Sequence, residues 1–96
     1  MRTPLAFAAL LLLTAPAFAA PTQAQKDEFY AVCMGIAQND TLCSCKADAA
    51  MTLIDERMMG YVIAGMKGGA VGEPDDVAGA RARYLQESNR ACGLNY

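Results

Sequence analysis

The sequence predicts an all-α fold: a small disulfide-stapled bundle of three to four helices that follows a signal peptide. Three observations carry that expectation. Beyond position 22 the apolar residues recur at three- and four-residue spacing, and no segment shows the strict alternation of a half-buried strand. Four cysteines, Cys33, Cys43, Cys45 and Cys92, all lie after the apolar N-terminus. Residues 1–19 have the layout of an export signal, which would deliver those cysteines to an oxidising compartment.

The signal is read from its parts. Arg2 and the α-amino group supply a positive start, Leu5 to Leu13 is an unbroken apolar run of nine residues, and Ala17-Phe18-Ala19 is a small-x-small cleavage site. A membrane-spanning helix needs roughly 20 apolar residues, so this run is too short to be one. The domains expected are therefore 1–19, signal peptide, and 20–96, a helical disulfide-stapled domain, with cleavage after Ala20 nearly equivalent. No stable membrane insertion is expected after cleavage, and the location expected is periplasmic or secreted.

Removing 19 of the 96 residues leaves 77, and removing Arg2 with them leaves seven basic residues against ten acidic, a net charge of −3. A chain of this size buries only about 60–65% of its unfolded surface, and small exported domains commonly add disulfides. The acidic balance argues against nucleic acid as a partner. The chain has no histidine. That excludes Ser-His and Cys-His dyads, histidine zinc sites and the CxxCH haem attachment, so no catalytic residue and no cofactor is expected.

The first helix is expected from Gln23 to Gln38, with Phe29, Val32, Cys33 and Ile36 on one face, after a frayed polar lead-in over residues 20–25. Asn39-Asp40 breaks the pattern, and Asp40 or Thr41 is placed to cap a second helix. From Leu42 onward the periodicity shifts. At about 100° per residue, Leu42, Cys45, Ala49 and Leu53 share one face, whereas Met58, Met59, Val62 and Met66 share another, turned from the first. An unbroken helix would also put Asp48 and Asp55 on the methionine face. A break at Thr52–Asp55, with those two residues as a capping box, resolves both, giving helices at about 42–52 and 54–67. Gly68, Gly69, Gly72 and Pro74 mark a loop, and the last helix starts near Asp75 with acidic residues at its positive end. Its inner face is Val77, Ala80, Tyr84, Leu85, Ser88, Ala91 and Cys92, and Gly93 suits its C-terminal cap.

Cys33, Cys43 and Cys45 form a C-x9-C-x-C cluster. Cys43 and Cys45 point apart on a helix, so only one of them reaches Cys33 and the other is free for Cys92. Cys33–Cys43 with Cys45–Cys92 is the preferred pairing; Cys33–Cys45 with Cys43–Cys92 is the near alternative. The same residues allow a second reading. Cys43 and Cys45 near a helix N-terminus could be a redox dithiol. With Met34, Met51, Met58, Met59 and Met66 in the chain, they could also hold Cu(I). Against this, methionines at helical spacing serve as core filler. GMKGGAVGEP lacks the GK[ST] ending and preceding strand of a phosphate loop and reads as a connector. Arg81 lies inside the apolar arc of the last helix, where it would snorkel or pair with Asp48 or Asp55.

The pattern F-Y-x-x-C-x9-C-x-C, from Phe29 through Cys45, and the acidic-capped helix to Met59 resemble a recurring type of small exported bacterial protein that also carries a cysteine near its C-terminus, here Cys92. That resemblance implies a disulfide-stapled helical domain and no assigned activity. Mitochondrial twin C-x9-C hairpins are similar only in Cys33–Cys43. Periplasmic immunity proteins against secreted amidases are similar in size, export and helical content, and loosely in Gly60-Tyr61-x-x-x-Gly65, but not in cysteine spacing. The function expected is a non-enzymatic protein-binding module of inhibitor, immunity or envelope-complex type. Its partner would be an envelope or extracellular protein, and Tyr30, Tyr61, Tyr84 and Tyr96 would supply amphipathic contact surface.

Overall fold

A computed structural model describes residues 19–69 and 72–93. Residues 1–18 of the expected signal peptide, residues 70 and 71 of the glycine loop, and residues 94–96, with Tyr96, lie outside the described residues. Four helices follow one another: α1 (Gln23–Ala37), α2 (Asp40–Leu53), α3 (Glu56–Met66) and α4 (Asp75–Cys92). The all-α class and the division of residues 40–66 into two helices are both present.

Local chemistry explains the ends. Thr22 and Gln25 form a reciprocal capping box on α1, each side chain accepting from the other's backbone N–H. The lead-in is docked rather than frayed. Pro21 is buried, the Glu56 N–H donates to the Ala19 carbonyl at 2.8 Å, and the Gln25 side-chain amide donates to the Glu56 carbonyl. The physical reason is that the first N–H groups of α3 have no partner inside their own helix. Gln38, in the left-handed region at φ 53°, turns the chain out of α1, and its N–H donates to the Met34 carbonyl.

Asn39 caps α2, accepting from the Leu42 N–H, so the cap sits one residue before the expected Asp40 or Thr41. Asp40 instead occupies the first turn, where its charge faces the helix dipole favourably. The α2–α3 break has a simpler origin than a Thr52–Asp55 box. Asp55 alone caps α3, accepting from the Met58 N–H at 2.8 Å, while the Thr52 hydroxyl donates back to the Ala49 carbonyl. Ile54, just before the cap, and Met59 are both buried in the core, the placement of a hydrophobic staple. Gly93, at φ 71°, closes α4.

The helices pack as a ring: α1 lies against α2 and α3, and α4 lies against the same two. The core comprises Phe29 and Cys33 of α1, Cys43, Ala47 and Ala50 of α2, Ile54, Met59, Val62 and Ile63, and Tyr84 of α4. Phe29 and Tyr84 meet edge to face across the centre, ring centroids 6.3 Å apart. Two disulfides tie the ring, Cys33–Cys43 joining α1 to α2 and Cys45–Cys92 joining α2 to the end of α4. In the chain-entropy view the short and long loops contribute about 2.8 and about 4 kcal/mol, a large share of the stability of so small a domain. Disulfides of this kind persist in oxidising compartments. No helix of the described residues is long and apolar enough to cross a membrane.

Candidate functional site

The ring leaves a gap on one side between α1 and α4. There the helices enclose an open apolar cavity of about 160 Å³, reaching from buried Phe29, Leu42 and Val62 to a mouth formed by Ile36 and Leu85. These mouth residues depart from the sequence expectation. Ile36 and Leu85 belong to the inward stripes of their helices, yet they are 60% and 41% exposed. The reason is geometric: α1 and α4 each rest on α2 and α3, so the stripe edges facing one another across the gap remain uncovered.

Two cations line this apolar wall, Lys46 of α2 and Arg81 of α4. Lys46 is only 6% exposed and makes no ion pair among the described residues. Its ammonium donates to the Ser88 hydroxyl at 2.9 Å and to the Asn89 side-chain carbonyl, and sits 5.8 Å from the Tyr84 ring centroid. Burial, with no carboxylate to offset it, holds the Lys46 ammonium below the usual lysine range. The face of α2 expected from sequence was turned by about one residue. Leu42, Cys43, Lys46, Ala47 and Ala50 are buried, whereas Leu53 is 41% exposed.

Arg81 pairs with neither Asp48 nor Asp55. Its guanidinium reaches the loop before α4, donating to Glu73 at 2.6 Å, and makes a long contact of 3.5 Å to the Tyr61 carbonyl. Asp48 is taken by Lys26 at 2.7 Å and Asp55 by its capping role. Gly65 makes room for the guanidinium: a Cβ there would stand 2.9 Å from Nη1. The Arg81 Nε is buried with no hydrogen-bond partner among the described residues. The throat itself is almost wholly apolar: Lys46 and Arg81 line it, but the Lys46 ammonium turns to Ser88 and Asn89 and the Arg81 guanidinium to Glu73.

Comparison with protein-family models, with curated proteins and with solved structures finds no match. The reading of the site therefore rests on its own chemistry. Cys43 and Cys45, the candidate dithiol or Cu(I) ligands, are divided between two disulfides with different partners. Both bridges would have to be reduced before the pair could act as a dithiol or take a soft metal. Among the described residues no cluster of three or more His, Cys, Asp or Glu could hold a metal ion. Of the tyrosines expected as contact surface, Tyr84 is core, 3% exposed, and its hydroxyl donates to the Lys46 carbonyl. Tyr30 and Tyr61 are half-buried, and the Tyr30 hydroxyl donates to Asp40, which raises its pKa. The residues that sequence reasoning missed are Lys46 and the exposed state of Ile36 and Leu85. For Lys46 a signal existed, since positions 42, 46 and 50 fall on one helical face.

Proposed function

We propose that this protein is an exported, non-enzymatic binding module that engages an envelope or extracellular protein through the α1–α4 groove, as an inhibitor, immunity protein or complex subunit in the periplasm or outside the cell. The observation that carries this reading is the apolar throat of about 160 Å³ with Ile36 and Leu85 exposed at its mouth. Exposed apolar surface running into a cavity is a binding feature, because a lone domain gains nothing by leaving it open to water. Its size supports a protein partner. Sites for drug-sized small molecules occupy roughly 300–1,000 Å³, whereas a cavity of about 150 Å³ accepts a single benzene. The throat is the size of one side chain, and anchors of that kind dominate protein interfaces. The chemistry supports a role without turnover: histidine is absent from the chain and all four cysteines are bridged.

The test is site-specific photo-cross-linking during export in the native host, with p-benzoylphenylalanine at position 36 and, as control, at position 53. Leu53 is as exposed as Leu85 but does not line the groove. The expected result is one protein adduct from position 36 and none from position 53. Absence of a position-36 adduct, or equal capture at both positions, would refute the reading.

A further inference from the structure

One wall of the groove is a stretch of α4 with little apolar packing to hold it. From Leu85 to Gly93 the one buried side chain is that of Ser88, and it is polar. The buried apolar residues of α4, Val77, Ala80 and Tyr84, all precede this stretch, and so do the contacts with α3 made by Asp76 and Arg81. A helix in a small domain owes most of its stability to the packing of its apolar face, and segments with few buried apolar contacts open locally. About the last two turns of α4 lack such a face. Among the described residues two links to α2 take its place: the Cys45–Cys92 disulfide, and the Lys46 ammonium donating to Ser88 and Asn89. The second link is weak alone. It keeps an ammonium out of water with neutral oxygens as acceptors, and a buried charge without a counter-charge favours any motion that returns it to solvent.

We propose that the Cys45–Cys92 disulfide is a redox latch on the groove: closed, it holds the end of α4 over Lys46, and its reduction by a protein dithiol frees that end, displaces Leu85 from the mouth and releases the partner. The proposal rests on the binding role given above. Leu85 couples the two events, because it stands at the groove mouth and is also the first residue of the weakly held stretch. The bridge is placed to be the one that opens. Cys45 and Cys92 are half-buried, whereas Cys33 and Cys43 are buried within the core. A thiolate of the dithiol attacks one sulfur of the bridge and expels the other as a thiolate, leaving a mixed disulfide. The second sulfur of the dithiol then closes its own disulfide and expels the first. The dithiol gives up two electrons and two protons, and Cys45 and Cys92 become thiols while Cys33–Cys43 stays closed.

The test has a structural arm and a binding arm. In the first, ¹⁵N-labelled exported protein is compared before and after limiting dithiothreitol. Backbone order parameters of residues 86–92 should fall from about 0.85 to below about 0.6, while those of α1, α2 and α3 hold. The same loosening is expected in Cys45→Ser with Cys92→Ser. Adding Lys46→Met to that pair removes the charge that drives the end of α4 away, and should restore the order of residues 86–92. In the second arm, the position-36 cross-link in the native host should drop about tenfold or more in the double serine variant and return when Lys46→Met is added. Residues 86–92 that stay ordered on reduction overturn the latch. So does loss of order throughout the chain in both the double and the triple variant, which would make the bridge a staple of the whole fold. A cross-link of equal yield with and without the bridge overturns the control of binding and leaves the binding role standing. No cross-link in any form, oxidised parent included, removes the binding role and the latch on it together.

Discussion

The Tyr84 hydroxyl donates to the Lys46 carbonyl at 2.9 Å, so that one hydrogen bond pins the middle of α4 onto α2 at the back of the groove. Burial pushes the Tyr84 pKa up to about 12. The folded protein therefore holds this proton more tightly than the unfolded chain, whose tyrosines titrate near pH 10. The stability linked to Tyr84 is complete below pH 10 and is lost as pH rises toward 12, amounting to roughly 2–3 kcal/mol in all. Denaturant unfolding between pH 9 and pH 12 should show that decline. In Tyr84→Phe the decline should flatten, at the cost of about 1 kcal/mol at neutral pH for the lost hydrogen bond. An unchanged slope in the variant would assign the loss to other groups.

Lys46 has the opposite sign. Its folded pKa lies below its unfolded one, so the folded state resists protonation, and stability climbs as pH rises through the folded value toward 10.5. Lys46→Met keeps the aliphatic stem and removes the uncompensated charge. It should raise stability at pH 7 by about 1 kcal/mol, with the gain shrinking in alkaline buffer. Thermal melts at pH 7 and pH 10 check both statements. A destabilised variant at pH 7 would mean that the bonds to Ser88 and Asn89 outweigh the burial of charge.

The two disulfides differ in access. Cys43 is fully buried and Cys33 is 8% exposed, whereas Cys45 and Cys92 are both half-buried, at the end of α4. Exchange requires a thiolate to reach a sulfur. Under limiting reductant, Cys45–Cys92 should open first, and alkylation followed by mass spectrometry should label Cys45 and Cys92 ahead of Cys33 and Cys43. Removing the longer loop's bridge by Cys45→Ser with Cys92→Ser should cost about 4 kcal/mol in the chain-entropy model. Simultaneous labelling of all four would show that the bridges open only with global unfolding.

How far the fold was legible follows from which signals are local. The break between α2 and α3 is written in the Asp55 cap, the start of α4 at Asp75 in Pro74 and the acidic first turn, and its stop in Gly93, all of which act within a few positions. The one-residue turn of the buried face of α2 is not, because Lys46 counts as polar by type although its stem packs like an aliphatic chain. Periodicity also marks which stripe faces inward without saying how wide a strip the neighbours cover. For that reason Ile36 and Leu85 were expected inside and stand at the groove mouth instead. The partner of Arg81 is Glu73, in the loop before α4, where helical spacing has no authority.

The Asp55 cap offers a compact check on the break. Its carboxylate is the side-chain acceptor at the start of α3, taking the Met58 N–H. Asp55→Ala should cost about 1 kcal/mol, and Asp55→Asn should recover most of it, because asparagine caps nearly as well. Equilibrium denaturation of the three proteins measures this. Equal stability of Asp55→Ala and the parent would indicate that the Ile54–Met59 contact alone sets the break.

Binding and stability should separate at the groove mouth. Ile36 is 60% exposed, so replacing it by aspartate removes little buried area and the stability change should stay within about 0.5 kcal/mol. Leu85, 41% exposed, gives up more contact and should lose about 1 kcal/mol. The functional change should be large. Both residues flank the throat, and a carboxylate there faces an apolar anchor with an uncompensated charge. Ile36→Asp and Leu85→Asp should therefore lose the partner that position 36 cross-links, while Leu53→Asp, equally exposed but outside the groove, retains it. Affinity capture of the oxidised proteins, with melting temperatures measured in parallel, distinguishes the two effects. Retention of the partner by both groove variants at unchanged stability would place the interface on another face of the bundle.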